Sequence, residues 1–430
     1  MVTASSGLPA TASLLRSGTP RCGAAADRRI GKRRAPRLRR SRCLSALLIT
    51  AAAFAVPACS SETASSQIAS SQIASSQAAS SQAASSQAAS SQPATTPAAV
   101  VDTGASGVGT DQEITFTAGQ VTVHGSLRLP PNAANPVPAA VLLAGSGPTD
   151  RNGNTPAVPG SIDTLRSLAD VLATQGVASI RYDKLSTGAT GLGPYTSDPA
   201  SIGYRDFVDE ARGALGFLAA RTDVDAGHLM ILGHSEGALI ALSVTADPPP
   251  GQPRVAGIGL LESLGSRYLD LISSQLTGAL PALVAAGRVS ASDADSATQA
   301  LPDAISTLRS TGSFPADLPV LLQRSGLSAA NAHFLYQADQ ADPVQLAAAL
   351  PPGLPVLTTC SQADHQVPCS EMAKLDAALP AATLTPVTLT TADHLLKDEP
   401  PGTSVTSVSD LAFSAELPPA LSSWLSTVVG

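Results

Sequence analysis

The stretch Gly233-His234-Ser235-Glu236-Gly237 has residue types and spacing that favour nucleophilic chemistry. Glycines two positions before and after a serine fit a sharp turn from a strand into a helix, because they leave room for neighbouring backbone. The apolar residues at 227–232 and 238–242 indicate a short buried strand and an apolar helix on either side. We therefore predict that Ser235 is a nucleophile at the tip of this turn.

A serine hydroxyl is a weak nucleophile near neutral pH, so Ser235 needs a base within hydrogen-bond reach. The chain has six histidines. His124 lies in a predicted hairpin, His228 at the buried start of a predicted strand, and His333 in a helical insertion. His234 is next to Ser235 but would point away from it. These four are set aside. Of the remaining two, His394 follows the last predicted strand, at the sheet edge where the serine turn opens. We predict that His394 is the base.

An acid that orients the base is expected in the loop after the predicted strand at 354–360. Asp364 lies there, and it gives the chain order Ser, Asp, His that accompanies this kind of turn. Asp393 is an alternative, although a residue adjacent to the base seldom folds back onto its ring. His365 is interpreted as an exposed loop residue or as a pH-sensitive neighbour of the acid.

Two backbone N–H donors are needed to stabilise the oxyanion that forms during acyl transfer. One is expected from Glu236, directly after the nucleophile. The other is expected from Ser146, within Gly145-Ser146-Gly147 after the apolar strand at 138–144. Pro148 has no N–H to donate. No Gly-Lys-Ser/Thr follows, so a phosphate loop is disfavoured.

The elements that must position these residues alternate between strands and helices. Beyond the serine turn, the patterns predict a hairpin at 113–118 and 121–129, strands at 138–144, 177–182, 255–261, 354–360 and 383–390, and helices at 162–175, 202–220, 370–379 and 417–429. This alternation predicts an α/β fold over residues 111–430, with a mostly parallel sheet covered by helices on both faces. A helical block at about 266–342 interrupts it and is interpreted as a lid.

The first 58 residues have the character of a bacterial export signal. Nine basic residues between 28 and 42 precede an apolar run at 44–56, and that run is shorter than the about 20 residues that span a bilayer. It ends in Val56-Pro57-Ala58-Cys59, which resembles a lipobox and predicts lipid attachment at Cys59. The alternatives are an ordinary cleaved signal with release of the protein and, from Arg39-Arg40, twin-arginine export.

Residues 59–110 are predicted to be a disordered tether. An Ala-Ser-Ser-Gln-Ile/Ala unit repeats with a five-residue period from Ala64 to Gln92. The repeat has no aromatic or charged residue, so it buries too little apolar surface to offset the entropy of ordering. Such a segment would hold a folded domain away from a membrane.

Charge and cysteine content narrow the possible partners. Without residues 1–58 the chain has 15 basic and 32 acidic residues, a formal charge of −17. That charge disfavours binding to nucleic acids and to anionic membrane surfaces, so any attachment to a membrane would come from the lipid alone.

Two cysteines, Cys360 and Cys369, remain once Cys59 carries a lipid. In an oxidising compartment they would form a disulfide, and the alternative is two buried thiols.

The chain resembles the α/β-hydrolase superfamily, and most of all the exported bacterial esterases grouped with serine aminopeptidase-like hydrolases. The resemblance covers residues 111–430 and rests on the motifs at 143–154, 181–184, 233–237 and 364–368. It implies Ser235 as nucleophile, Asp364 as acid and His394 as base. The chain departs from the family pattern at 360–362, where members have glycines, and at 185–186, where members have Arg-Gly.

The sequence therefore predicts an exported, lipid-anchored serine hydrolase that acts on small ester or lipid-like substrates without a cofactor. A first alternative is an aminopeptidase, which would need a carboxylate to hold the substrate ammonium; Glu236, Glu262 and Asp270 are candidates. A second alternative is a surface lipoprotein that binds ligands without turnover.

Overall fold

The structure, a computed structural model, describes residues 109–131, 136–158, 160–379, 383–399 and 407–430. The predicted signal segment, Cys59 and the predicted tether lie outside the described residues. In the part that is described, no helix has both the length and the apolar character needed to cross a bilayer.

An eight-stranded sheet lies at the centre of the described residues. Its strands are β1 (Asp111–Ala118), β2 (Val121–Arg128), β3 (Val137–Leu143), β4 (Ala178–Tyr182), β5 (Val224–His234), β6 (Gly257–Leu261), β7 (Pro355–Ser361) and β8 (Thr383–Leu389). Their spatial order is β1-β2-β4-β3-β5-β6-β7-β8. β2 is antiparallel to β1 and to β4, and every other pair of neighbours is parallel. The mostly parallel sheet expected from the alternation is confirmed.

Helices cover both faces of this sheet, and others form the segment between β6 and β7. They are α1 (Thr164–Thr174), α2 (Tyr204–Ala219), α3 (Glu236–Ala246), α4 (Tyr268–Ala285), α5 (Ala291–Thr311), α6 (Val320–Arg324), α7 (Ala332–Gln340), α8 (Pro343–Ala348), α9 (Cys369–Ala378) and α10 (Leu417–Val429). Buried residues of α1 and α10 share one apolar core, and those of α2, α3 and α9 share a second.

Strand β3 shows why the sequence folds in this way. Side chains alternate between the two faces of a strand. Ala140 and Leu142 belong to the core with α1 and α10, whereas Val141 and Leu143 belong to the core with α2 and α3. A strand covered on both faces needs apolar residues at successive positions, which accounts for the unbroken apolar run at 137–143.

The segment between β6 and β7 is helical and contains α4 to α8. Asp339 of α7, whose side chain is 2% exposed, joins that helix to α4 and α5. One Asp339 oxygen accepts from Nε of Arg309 at 2.8 Å, and the other from the backbone N–H of Leu269 at 2.9 Å. Arg267 forms a second ion pair with the same carboxylate. Helix α8 continues the helical segment beyond the end that was expected near residue 342.

Candidate active site

Ser235 lies at a strained turn between β5 and α3. Its φ of 54° and ψ of −119° lie outside the regions that side chains ordinarily favour. A Cβ added to Gly233 would lie 2.1 Å from the carbonyl oxygen of Gly237, and one added to Gly237 would lie 2.4 Å from that of Leu143. Both positions therefore require glycine for space. The backbone N–H of Ser235 donates to the carbonyl oxygen of Leu261 at 2.8 Å, which fixes the turn against β6.

Asp364 and His394 form a buried hydrogen-bonded pair. Oδ2 of Asp364 lies 2.7 Å from Nδ1 of His394. The other carboxylate oxygen, Oδ1, accepts from the backbone N–H groups of Gln366 at 2.7 Å and Val367 at 2.9 Å. Because a carboxylate only accepts, Nδ1 carries the proton, and Nε2 of the neutral ring is left as the acceptor. This is the tautomer that a base for a serine hydroxyl requires.

His234 connects the serine turn to the loop of His394. The two imidazole rings have centroids 5.0 Å apart, and Nε2 of His234 donates to the backbone carbonyl of His394 at 2.6 Å. Ser235 is the next residue in the chain, so serine and histidine lie at the same edge of the sheet. Among the described residues, no hydrogen bond joins Ser235 to His394; such contacts are often long before substrate binds.

The surroundings of His394 shift the pKa values of several groups. Burial lowers the pKa of His394, but the charge of Asp364 and the hydrogen bond to it outweigh burial and raise that pKa above its ordinary value. Burial raises the pKa of Asp364, and His394 together with two backbone N–H groups brings it below its ordinary value. Burial and the charge of His394 lower the pKa of His234 to about 4, so His234 is neutral near neutral pH.

Glu262, at the end of β6, is a second carboxyl group in this region. Its Oε1 lies 3.1 Å from Oγ1 of Thr359, and its Oε2 accepts from the backbone N–H of Ser361 at 2.9 Å. Burial and the charge of Asp364 raise the pKa of Glu262 to about 8. Glu262 is therefore mostly protonated at neutral pH, while Asp364 is ionised.

The loop after β3 approaches the serine closely. A Cβ on Gly145 would lie 3.3 Å from Cβ of Ser235. The backbone N–H of Ser146 follows directly, and that of Glu236 is the first of α3, where N–H groups have no partner within the helix. Within the described part of the chain, neither N–H donates to a protein acceptor. Both are available to a substrate oxygen.

Other residues singled out from the sequence have different surroundings. Asp393 does not contact the ring of His394; its Oδ1 accepts from the backbone N–H groups of Leu395 and Lys397, both at 2.9 Å. His365 is exposed. The expectation that His228 is buried is wrong, because its side chain is 39% exposed beside Asp225 at the open start of β5.

The polar loop at 150–154 is held by a hydrogen bond within the loop and by ion pairs to residues of the neighbouring strands. Asp150 accepts from the backbone of Asn154 at 2.9 Å, and Arg151 forms ion pairs with Glu113 at 2.7 Å and Asp183 at 2.8 Å. These contacts favour a structural role over direct binding of a substrate. Across the described ranges, no group of three or more His, Cys, Asp or Glu side chains is arranged to hold a metal ion.

Cys360 and Cys369 form a disulfide. It joins the end of β7 to the first residue of α9 and closes the loop that contains Asp364. Of the two possibilities left by the sequence, the structure therefore has the disulfide.

The strand order, the antiparallel β2 and the strained serine between β5 and α3 define the α/β-hydrolase fold. This chain has that fold, with a helical insertion between β6 and β7. The fold class expected from the sequence is confirmed.

Comparison with known proteins gives only distant similarity. No family model matches the chain, and no curated protein matches it. Among solved structures it is similar to the Pyrococcus furiosus esterase Pf2001, with 13% identity and a TM-score of 0.45 over 74% of this chain and 91% of that one. A Mycobacterium smegmatis proline iminopeptidase has 15% identity and a TM-score of 0.43, over 66% of this chain and 92% of its own. An esterase domain from a Rhodothermus marinus protein has 18% identity and a TM-score of 0.41, over 74% of this chain and 99% of its own. Two of these proteins are named as esterases and one as an iminopeptidase. At these identities and TM-scores, the similarity assigns no substrate to this chain.

Proposed function

We propose that the protein is an extracytoplasmic serine hydrolase that cleaves carboxylic esters through an acyl-enzyme intermediate. The observation that carries this proposal is the buried hydrogen bond between Asp364 and His394, beside a strained serine turn. A strained backbone and a buried carboxylate both cost stability, and strained residues and shifted pKa values cluster at functional sites.

In the proposed mechanism, Ser235 attacks the ester carbonyl while Nε2 of His394 accepts the hydroxyl proton. Asp364 holds the ring in the required tautomer and stabilises the imidazolium. The N–H groups of Ser146 and Glu236 stabilise the negative charge on the carbonyl oxygen. His394 then gives its proton to the leaving alcohol, and water releases the acid by the same steps in reverse.

Turnover of p-nitrophenyl acyl esters from acetate to palmitate, with Ser235→Ala alongside, tests this proposal. We expect turnover that Ser235→Ala lowers by about 10⁴-fold or more. Ser179→Ala is a matched control, because Ser179 is buried in β4 and its hydroxyl has no partner among the described residues. Its activity is expected to remain close to that of the unmodified protein. Absence of turnover from folded protein would contradict the proposal and favour a binding role.

Contacts of the candidate carboxylates favour an ester over a peptide N-terminus as substrate. A peptidase that removes N-terminal residues needs a carboxylate free to bind an ammonium group. Glu236 is engaged by Tyr268 at 2.5 Å, Glu262 is buried against β7, and Asp270 pairs with Arg309 at 2.7 Å. Aminoacyl p-nitroanilides are the substrates that test this alternative.

We also propose that the protein is exported and held at the outer face of the cell membrane by lipid on Cys59. The support is the sequence at 28–59, which has a basic region, a short apolar run and a lipobox-like end. The negative charge of the remaining chain leaves the lipid as the means of attachment.

A further inference from the structure

A buried group of three side chains connects the two residues that supply the oxyanion N–H donors. Lys184, Glu236 and Tyr268 are 4%, 3% and 7% exposed, respectively. None of them is assigned a step in the proton transfers above. Together they contact both the loop after β3 and the first turn of α3.

Lys184 fixes the peptide group between Gly145 and Ser146. Its Nζ donates to the carbonyl oxygen of Gly145 at 2.6 Å. In a planar trans peptide the C=O and the N–H point in opposite directions. Holding the carbonyl of Gly145 on the side of Lys184 therefore directs the N–H of Ser146 to the other side of the peptide. The same Nζ lies 3.5 Å from Oε1 of Glu236, which links this loop to α3.

Tyr268 holds the other oxygen of the same carboxylate. Its hydroxyl donates to Oε2 of Glu236 at 2.5 Å, while Oε1 faces Lys184. Tyr268 is therefore connected through Glu236 and Lys184 to the carbonyl of Gly145. Tyr268 is the first residue of α4, and its ring packs edge to face on Phe334 of α7 at 5.9 Å.

The chemistry of this group indicates a role beyond stability. A buried Lys and Glu lose hydration that their attraction only partly restores, so apolar residues of similar volume would be at least as stabilising. Phe207 already packs against Lys184, with Nζ 5.7 Å from the ring centroid. What apolar residues would not provide is a fixed direction for the peptide of Ser146 and for the first turn of α3.

We propose that Lys184, Glu236 and Tyr268 are positioning residues that hold both oxyanion donors in place, so that the oxyanion hole is complete only when α4 is docked. This inference rests on the proposed function. It predicts that loss of the Tyr268 hydroxyl weakens stabilisation of the transition state and leaves binding of the substrate ground state nearly unchanged.

Tyr268→Phe, compared with Tyr204→Phe, tests this inference in the full-length protein. Tyr204 is buried in the same aromatic cluster, 6.2 Å from Phe334, but its hydroxyl bonds Ser243 at 2.9 Å. Each change removes one buried hydroxyl and keeps the ring. We expect Tyr268→Phe to lower kcat by about 10- to 100-fold with KM within about threefold, because an oxyanion donor is misplaced. Tyr204→Phe is expected to stay within about threefold in both constants.

Inhibition by two matched ketones provides a second measurement. Ser235 adds to a trifluoromethyl ketone: its oxygen bonds the carbonyl carbon, the carbonyl π electrons move to oxygen, and the serine proton passes to His394. The resulting oxyanion needs both N–H donors, whereas the matching methyl ketone stays largely unreacted. We expect Tyr268→Phe to weaken inhibition by the trifluoromethyl ketone about 10-fold or more and inhibition by the methyl ketone less than about threefold. Lys184→Met is expected to act in the same direction.

The outcomes separate this inference from the proposed function. If Ser235-dependent turnover is present but Tyr268→Phe behaves like Tyr204→Phe, or changes only KM, the inference is wrong and the hydrolase proposal stands. Equal weakening of both ketones would also overturn it. If the unmodified protein has no Ser235-dependent turnover, both fail.

Discussion

His394 is surrounded by groups that act on its protonation in opposite directions. Burial disfavours the imidazolium, while the charge of Asp364 and its hydrogen bond to the ring at 2.7 Å favour it, and the net effect is a raised pKa of His394. Of the two carboxyl groups, Asp364 is the ionised one, because the pKa of Glu262 is about 8. The ionised carboxylate therefore bonds the ring directly.

We predict that kcat/KM falls as pH decreases through a pKa above 6.5, the ordinary value for histidine. Only the neutral ring of His394 accepts the serine proton, and Asp364 stabilises the charged ring, so activity is lost on the acid side. In Asp364→Asn, the loss of kcat/KM should occur at lower pH, and the maximal kcat/KM should be about 10⁴-fold lower. The pH profile of ester turnover measures both effects.

Glu262→Gln is the matched control for this prediction. Glu262 is already mostly protonated at pH 7, so the amide is a close substitute there. Turnover at pH 7 should stay within about threefold. Equal losses in Asp364→Asn and Glu262→Gln would contradict the assignment of Asp364 as the acid.

The loop between β7 and α9 contains both a disulfide and the side chain that we propose as the acid. The disulfide of Cys360 and Cys369 closes this loop. Asp364 lies within it and is held there by the N–H groups of two neighbouring residues. By restricting this loop, the disulfide therefore also restricts the position of Asp364.

We predict that Cys360→Ser combined with Cys369→Ser lowers the free energy of unfolding by about 2 to 3 kcal/mol, as expected for a loop of this length. Activity should fall by about tenfold, because Asp364 is less well placed. Urea unfolding and ester turnover provide the measurements. Cys22→Ser is the control, since Cys22 lies within the predicted signal. Unchanged activity in the double variant would show that the loop holds Asp364 without the bond.

A second prediction for elements concerns Asp339, which joins the start of α4 to α5 and α7. Asp339→Asn leaves Arg267 without its carboxylate partner and Arg309 with Asp270 alone, and we expect a loss of about 2 to 4 kcal/mol in the free energy of unfolding. Proteolysis of the helical segment at 266–348 should accelerate before the sheet unfolds. Asp342→Asn is the control, because Asp342 only caps α8. Equal cleavage rates in both variants would contradict the prediction.

Several elements were predictable from the sequence for physical reasons. The turn at Ser235 has a local signal, since Gly233 and Gly237 are demanded by backbone contacts within a few residues. Apolar periodicity identified α2, and an unbroken apolar run identified β3. These signals are short in range, so a single sequence displays them.

The contacts that the sequence did not reveal join distant parts of the chain. Tyr268 meets Glu236 across 32 residues, and Lys184 meets Gly145 across 39. Neither contact produces a periodic pattern in the sequence. Lys184 could be recognised only as part of the motif at 181–184. The bond from His234 to the backbone of His394 spans 160 residues and was equally hidden.

In the whole molecule, the predicted tether joins a strongly acidic domain to its proposed anchor at Cys59. We predict that Cys59→Ser moves Ser235-dependent activity from the membrane fraction to the soluble fraction, because the acidic chain has no charge attraction to the surface. Specific activity should be unchanged, since Cys59 precedes the residues of the proposed active site. Cys43→Ser is the control and should leave the enzyme in the membrane fraction. Persistence of Cys59→Ser in washed membranes would contradict lipid attachment at this residue.

The connection between β6 and β7 runs from Leu261 to Pro355 and contains α4 to α8. Closing so long a loop costs chain entropy before the strand contacts form, and contacts of this range slow folding. The serine turn is built from β3, β5, β6 and α3, all on one side of that loop. Asp364 and His394 lie on the other side, so they reach the serine only after the loop has closed. Under the proposed mechanism, a chain in which this loop has not closed has the serine without its activating partners, and we expect hydrolysis only after the last two strands have joined the sheet.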